Sequence, residues 1–333
     1  MSVSDSDTLL DCLVIGAGPA GLTAALYLAR FKRRSLIVDA GDPRAAWIPT
    51  SHNIPFFERG ITGREILVRE RAHACHYGAE IVEGKVVRLE KRDDGIFHAH
   101  VEVVPGAKGR SFNVTARNVL LATGARDIEP DLPDVPDAVR RGLVRYCPIC
   151  DGYEAQHKAI AVIGRGARGL GEAAFVARTY SRDVTFLTLG VPMELDGEEW
   201  ELANRHGVKV VTEPIGELRV EGDRIAAIRL ESGAEHRFDL IYSALGLTLR
   251  SELAVALGAE HDATGALTVD EHNRTSVAGL YAAGAVVRGL DQIVVAMGHA
   301  AIAATDIHNR CALPTQEEEK ERATKDRTRS ASG

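Results

Sequence analysis

Residues 13–30 read LVIGAGPAGLTAALYLAR, an apolar run that breaks at glycines and resumes with helical composition. Leu13 to Ile15 has the character of a buried strand. Gly16, Gly18 and Gly21 follow with G-x-G-x-x-G spacing, and the alanines and leucines after them predict a helix. A second strand, Ser35 to Val38, ends at Asp39, which completes one βαβ unit. Glycine is required at such a turn because side chains would bar a pyrophosphate from the backbone. The helix N-terminus offers free amides and a partial positive charge. Pro19 suits a first helical turn, and Asp39 is placed to accept from a ribose hydroxyl.

The same pattern recurs further along. AIAVIG (residues 159–164) leads into Gly164, Gly166 and Gly169, a helix, and a strand at Val184 to Leu187. Two such units predict an α/β chain with two Rossmann-like, three-layer nucleotide-binding domains. Between them, FHAHVEVV (97–104) and SFNVTA (111–116) alternate as antiparallel strands do, and NVLLATG (118–124) follows. Beyond the second unit come strands at Ile225 to Leu230 and Leu240 to Ser243, then a glycine- and alanine-rich helix from Gly279 to His308. Residues 313–333, dominated by TQEEEKERATKDRTRSASG, hold almost no apolar side chains and are expected to be a disordered charged tail.

Bulk properties narrow the function. A length of 333 residues suggests two domains. A net charge of −7 argues against a nucleic-acid partner, since phosphate-binding surfaces carry a clustered positive excess. The polar start MSVSDSDTLLD is unlike a secretory signal, and no run of 18 apolar residues occurs, so a cytoplasmic protein without a membrane partner is expected. Five cysteines are too few, and odd in number, for a secreted disulfide scaffold. Cys12, Cys75 and Cys311 read as small buried hydrophobes.

Cys147 and Cys150 are different. Cys147-Pro-Ile-Cys150 sets two thiols three residues apart, on one face of a helical turn and within bridging distance. With Cys147 capping a helix and Pro148 in its first turn, the helix field would favour a thiolate on Cys147. Asp151 opposes that field and makes more sense as a proton donor and acceptor. A structural zinc site would need a second ligand pair at matching spacing, and none is present, so no metal is expected.

VIGAGPAGL (14–22), LLATGA (120–125), CPICDG (147–152) and GLYAAGAV (279–286) together resemble low-molecular-weight thioredoxin reductase, an FAD-dependent pyridine nucleotide-disulfide oxidoreductase. The similarity spans nearly the whole chain except the tail. It implies a discontinuous FAD domain, 1–124 and 247–312, with a nicotinamide-domain-like module, 125–246, inserted and carrying CPIC. The implied FAD contacts are Gly16, Gly18, Pro19, Ala20, Gly21, Asp39, Ala40, Asn53, Val86, Ala122, Thr123, Gly124, Gly284, Ala285, Gln292 and Ile293. Cys150 would face the flavin, Cys147 would attack the partner disulfide, and Asp151 would move protons. Thioredoxin or a small disulfide is the implied acceptor, and a homodimer the implied assembly, with hinges near Gly124 to Arg126 and at Gly246.

Two departures stand out. Where the family has Gly-Asp-Val near its C-terminus, this chain has Gly284, Ala285, Val286. At the second turn, Gly164, Gly166, Arg168 and Gly169 keep the glycine spacing, yet Ala167 and Arg168 replace the polar pair of NADPH-using relatives. Thr188, Leu189 and Gly190 stand where the His-Arg-Arg cluster for the 2′-phosphate would be. Three donors stay open: NADH, NADPH held by a recruited Arg165 or Arg168, or no nicotinamide at all, with electrons from ferredoxin or another flavin. A dithiol oxidase using oxygen and a redox or flavin sensor without turnover are the alternative readings.

Overall fold

The computed structural model describes residues 9–106, 110–130, 135–193, 196–221 and 224–312. The charged tail read as disordered lies outside the described residues. The chain opens with β1 (Leu10–Ile15), α1 (Pro19–Arg30), β2 (Ser35–Asp39), α2 (Gly63–His76) and β3 (Glu80–Glu83). A meander follows: β4 (Lys85–Lys91), β5 (Phe97–Glu102) and β6 (Phe112–Leu121). SFNVTA and NVLLATG are thus one continuous strand, and β5 stops two residues short of its expected end. β1 lies between β2 and β6, parallel to both, with Val14 opposite Ile37 and Leu120. A strand covered on both faces must be apolar at every position, and Cys12 to Ile15 are all buried.

The chain leaves this sheet through β7 (Ala125–Asp127). Then come α3 (Val135–Arg140), β8 (Val144–Arg145), α4 (Pro148–Asp151), β9 (Ile160–Gly164), α5 (Gly166–Thr179), β10 (Val184–Leu187), α6 (Gly197–His206) and β11 (Lys209–Val211). An antiparallel β12 (Ile215–Glu221), β13 (Arg224–Leu230) and β14 (Glu235–Phe238) precede β15 (Leu240–Ala244). The second sheet is parallel, in the order β11-β10-β9-β15-β8. The return strand β16 (Leu247–Leu249) pairs antiparallel with β7, so both crossings run as one ribbon. Gly124 and Gly246, with φ of 67° and 100°, stand at its ends, in a region that side chains disfavour. α7 (Glu252–Ala256), β17 (Leu280–Ala282) and α8 (Ile293–Arg310) complete the described chain.

The helix expected from Gly279 to His308 is therefore only partly present. Leu280 to Ala282 adds to the first sheet beside Val119 to Leu121, and Gly279 and Gly284, at φ 80° and 81°, cannot continue a helix. α8 lies against α1, where Ala24, Ala25, Ala300, Ala303 and Ala304 let the two helices approach closely in a core with Cys12, Val14 and Leu120. Cys12 and Cys311 are buried as expected. Cys75 is exposed, a correction: α2 buries Gly63, Ile66 and Ala74, and the next residue is turned about 100° away from that face. No described helix is long and apolar enough to cross a membrane.

Candidate functional site

A cavity of about 840 Å³ opens at the C-terminal ends of β1, β2 and β6, where a doubly wound sheet leaves room for a ligand. Its near end is the first glycine turn, in which each glycine has a different task. A Cβ on Gly16 would stand 2.5 Å from Ala122 O, and φ is +105° there. A Cβ on Gly21 would fall 1.8 Å from Gly16 O, so this glycine lets α1 sit on the turn, and it does not line the cavity. A Cβ on Gly18 would meet nothing within 4 Å. Gly18 also begins α1 without any side-chain cap, which leaves first-turn amides free toward the cavity. Asp39 is largely buried, ion-paired with Arg71, and accepts from Gly41 N at 3.0 Å.

The far end is the cysteine pair. Cys147 and Cys150 form a disulfide with Cα atoms 5.4 Å apart. Cys147 is the N-cap of α4 and Pro148 its first residue, as the sequence suggested, and the Cys147 sulfur accepts from Cys150 N at 3.2 Å. Gln292, just before α8, donates from Nε2 to Cys147 Sγ at 3.3 Å, and its Oε1 lies 3.6 Å from Cys150 Sγ. Asn53 holds that amide by donating to Gln292 Oε1 at 2.8 Å, while Ser51 donates to Asn53 Oδ1 at 2.8 Å. Asp151 accepts from Tyr242 OH at 2.8 Å and faces Arg145 at 3.5 Å. Burial pushes its carboxyl above the usual range, against the opposing pull of Arg145 and Tyr242.

Between these ends the wall includes Ala40, Val86, Ala122, Thr123, Gly124, Gly284, Ala285 and Ile293. An extended dinucleotide such as FAD fits: open space at Gly18, uncapped amides beside it, and a hydrogen-bonded amide pair at the cysteines. Ala285 supplies no side-chain acceptor. Sequence reasoning missed the charged part of the lining. Arg44 grips Asp127 through two bonds of 2.7 Å, and Asp42 accepts from Arg126 at 2.6 Å and from Arg250 at 2.8 Å. These partners are far apart in the chain, so no motif spacing exposes them.

The second glycine turn is closely packed. A Cβ on Gly164 would come within 2.9 Å of Gly169 Cα and of Phe186, one on Gly169 within 3.0 Å of Gly164 Cα, and Gly166 has a φ of 57°. Arg165 caps α5 with no side-chain bond. Arg168 lines a smaller cleft of about 320 Å³ together with Glu172 and Cys147.

Residues 10–300 match the family model described as pyridine nucleotide-disulphide oxidoreductase. Thioredoxin reductase of Treponema pallidum (strain Nichols) is 31% identical over 90% of this chain and 96% of its own. Among solved structures, HlmI superposes with a TM-score of 0.80 at 30% identity over 98% of both chains. Thioredoxin reductase of Streptococcus pyogenes does so with a TM-score of 0.80 at 25% identity, covering 91% of this chain and 98% of that one.

Proposed function

Since the chain belongs to the pyridine nucleotide-disulphide oxidoreductase family, we propose that it is a thioredoxin reductase-like, FAD-dependent disulfide oxidoreductase working through Cys147 and Cys150. One observation carries the reading: the disulfide forms one wall of the cavity whose other end is the glycine turn. When bound, FAD supplies two-electron chemistry, taking an electron pair from a donor and giving it up to a disulfide. Gly18 and Ala20 would hold the pyrophosphate on backbone amides, with Gly16 and Pro19 shaping the turn that presents them, and Asp39 with Ala40 would hold the ribose. Asn53, Gln292 and Ile293 lie at the end nearest the cysteines. Gln292 orients the pair through a direct hydrogen bond to Cys147 Sγ, and Asn53 fixes the Gln292 amide.

Reduction of the pair breaks one S–S bond and requires two protons. Asp151, half-buried and adjacent to Cys150, would hold one of them. Cys150 lines the large cavity alone, whereas Cys147 reaches both cavities, which supports an inner role for Cys150 and an outer one for Cys147. The organisation we propose is an FAD domain from 1–124 and 247–312, a module from 125–246 carrying the pair, and a homodimer. Thioredoxin or a small disulfide would be the acceptor. A cytoplasmic setting agrees with three unpaired cysteines. For the donor, packing and backbone conformation account for Gly164, Gly166 and Gly169 without a nucleotide. The donor is then one of NADPH, NADH, ferredoxin or another flavin, and the reduction experiment separates them.

The test is anaerobic reduction of the FAD-loaded protein by NADPH, NADH and reduced ferredoxin in turn. Flavin bleaching followed by two new thiols, mapped to Cys147 and Cys150, is expected with one donor. Bleaching that leaves the pair oxidised would sink the proposal.

A further inference from the structure

The smaller cleft lies on the other flank of the cysteine pair, and no ligand has been assigned to it above. It is lined by α5 through Arg168, Glu172 and Phe175, by the end of β15 through Ala244, and by Leu247 and Leu290. Cys147 lines it and Cys150 does not. We propose that this cleft is the substrate site, and that it takes a compact, uncharged disulfide carrying amide groups. The inference rests on the relay read above and names its acceptor class.

Size and chemistry both point this way. At about 320 Å³ the cleft is at the small end of ligand pockets, enough for a low-molecular-weight disulfide and too small for a folded domain to enter. Apolar surface from Phe175, Leu247 and Leu290 alternates there with charged and polar side chains, among them Arg168, Glu172, Ser243, Asp291 and Gln292. Arg44 is committed to Asp127, which leaves Arg168 facing Glu172 and Asp291. The lining therefore has no surplus positive charge to receive a carboxylate-rich disulfide. Glu172 Oε1 is buried with no hydrogen-bond partner, and an amide N–H would satisfy it. Burial also lifts the Glu172 carboxyl to about 7, so near neutrality it can either accept from an amide or donate to one.

The chemistry balances within the site. In the reduced enzyme the Cys147 thiolate attacks one sulfur of the substrate. The substrate S–S bond breaks, a mixed disulfide forms at Cys147, and the first product leaves as a thiolate that takes a proton from water, the Cys150 proton going to the second. Cys150 then attacks Cys147 Sγ, which releases the second thiol and regenerates the Cys147–Cys150 disulfide. Two electrons have moved from the cysteine pair to the substrate.

Full-length, FAD-loaded Cys150→Ser protein stops this sequence at the mixed disulfide, which intact-mass measurement detects. Three linear probes share an S–CH₂–CH₂ core: N,N′-diacetylcystamine with neutral amides, cystamine with ammonium groups, and dithiodipropionate with carboxylates. Exposed Cys75 is an internal reference for ordinary thiol reactivity. Trapping of the amide probe at Cys147 should saturate with concentration while its reaction at Cys75 stays linear. The amide-to-carboxylate rate ratio should be at least about ten times larger at Cys147 than at Cys75. Leu290 is half exposed on the cleft rim. Leu290→Trp should slow trapping of the amide probe at least about ten-fold by filling the cleft, with the flavin spectrum unchanged. Glu172→Gln should shrink the preference for the amide. Linear kinetics at Cys147 that track Cys75 and ignore Leu290→Trp would overturn the site. So would oxidised thioredoxin reacting faster than every probe and indifferent to Leu290→Trp. Trapping needs neither an electron donor nor reduced flavin, so its failure is distinguishable from failure of the relay, which the bleaching experiment reads.

Discussion

A carboxyl group directly after Cys150 would ionise freely in water. In the fold, Asp151 is sequestered with Tyr242 OH at 2.8 Å and Arg145 at 3.5 Å, and burial outweighs both in raising its pKa. A base with a raised pKa works closer to neutral pH than an exposed aspartate does. Asp151→Asn should slow thiol–disulfide exchange by the reduced enzyme about 10²-fold and flatten its pH profile, as read by stopped flow. Tyr242→Phe has a signed consequence. The phenol stabilises the ionised carboxylate, so its loss should move the acidic limb of the profile to higher pH. A limb that stays in place would remove Asp151 from the proton path. Ala285 is a residue-scale finding of the opposite kind: the family's acidic position is legible in the sequence as missing, and the structure shows it on the cavity wall.

At the element scale, the glycines of the first turn separate folding from binding. Gly21→Ala would put a methyl 1.8 Å from Gly16 O, so α1 must lift from the turn. The cost should be about 1–3 kcal/mol, measured as a lower denaturation midpoint. Gly18→Ala meets open space; its midpoint should hold while FAD affinity falls in a fluorescence titration. The contact of α1 with α2 carries a pH dependence. Glu70 on α2 accepts from Thr23 at 3.4 Å, its Oε2 is buried without a partner, and burial raises its pKa from 4.5 to about 8. Between those values the unfolded chain has released the proton and the native state has not, so stability falls as pH rises through the window and stays reduced above it. Glu70→Gln should abolish that slope and be the more stable protein above pH 8 in thermal unfolding.

Across the whole molecule, the cavity draws its walls from segments spread between Ile15 and Ala296. The same assembly sorts the cysteines. Iodoacetamide on the oxidised native protein should label Cys75 alone, with Cys12 and Cys311 reacting only in denaturant, as peptide mapping would show. Burial also pushes the Cys12 and Cys311 thiols up, which leaves them little thiolate. Labelling of Cys12 in the native state would contradict the helix packing that seals it.

Local chemistry was legible in the chain because it depends on neighbours in sequence. The strand–glycine–helix units, the Cys147 cap and the bridging distance to Cys150 are set by backbone geometry over a few residues. The stretch from Gly279 reads as helix because its alanines suit one, yet it is helical only from Ile293, since Leu280 to Ala282 pairs with a strand, Val119 to Leu121, far away in sequence. Cys75 was misplaced because composition does not say which way a helix turns. The Arg44–Asp127 pair, the hold of Gln292 on the Cys147 sulfur with Asn53 behind it, and the cleft beside Cys147 arise only when distant segments meet. Their energies come from contacts between residues that no spacing relates, so tertiary packing alone decided them.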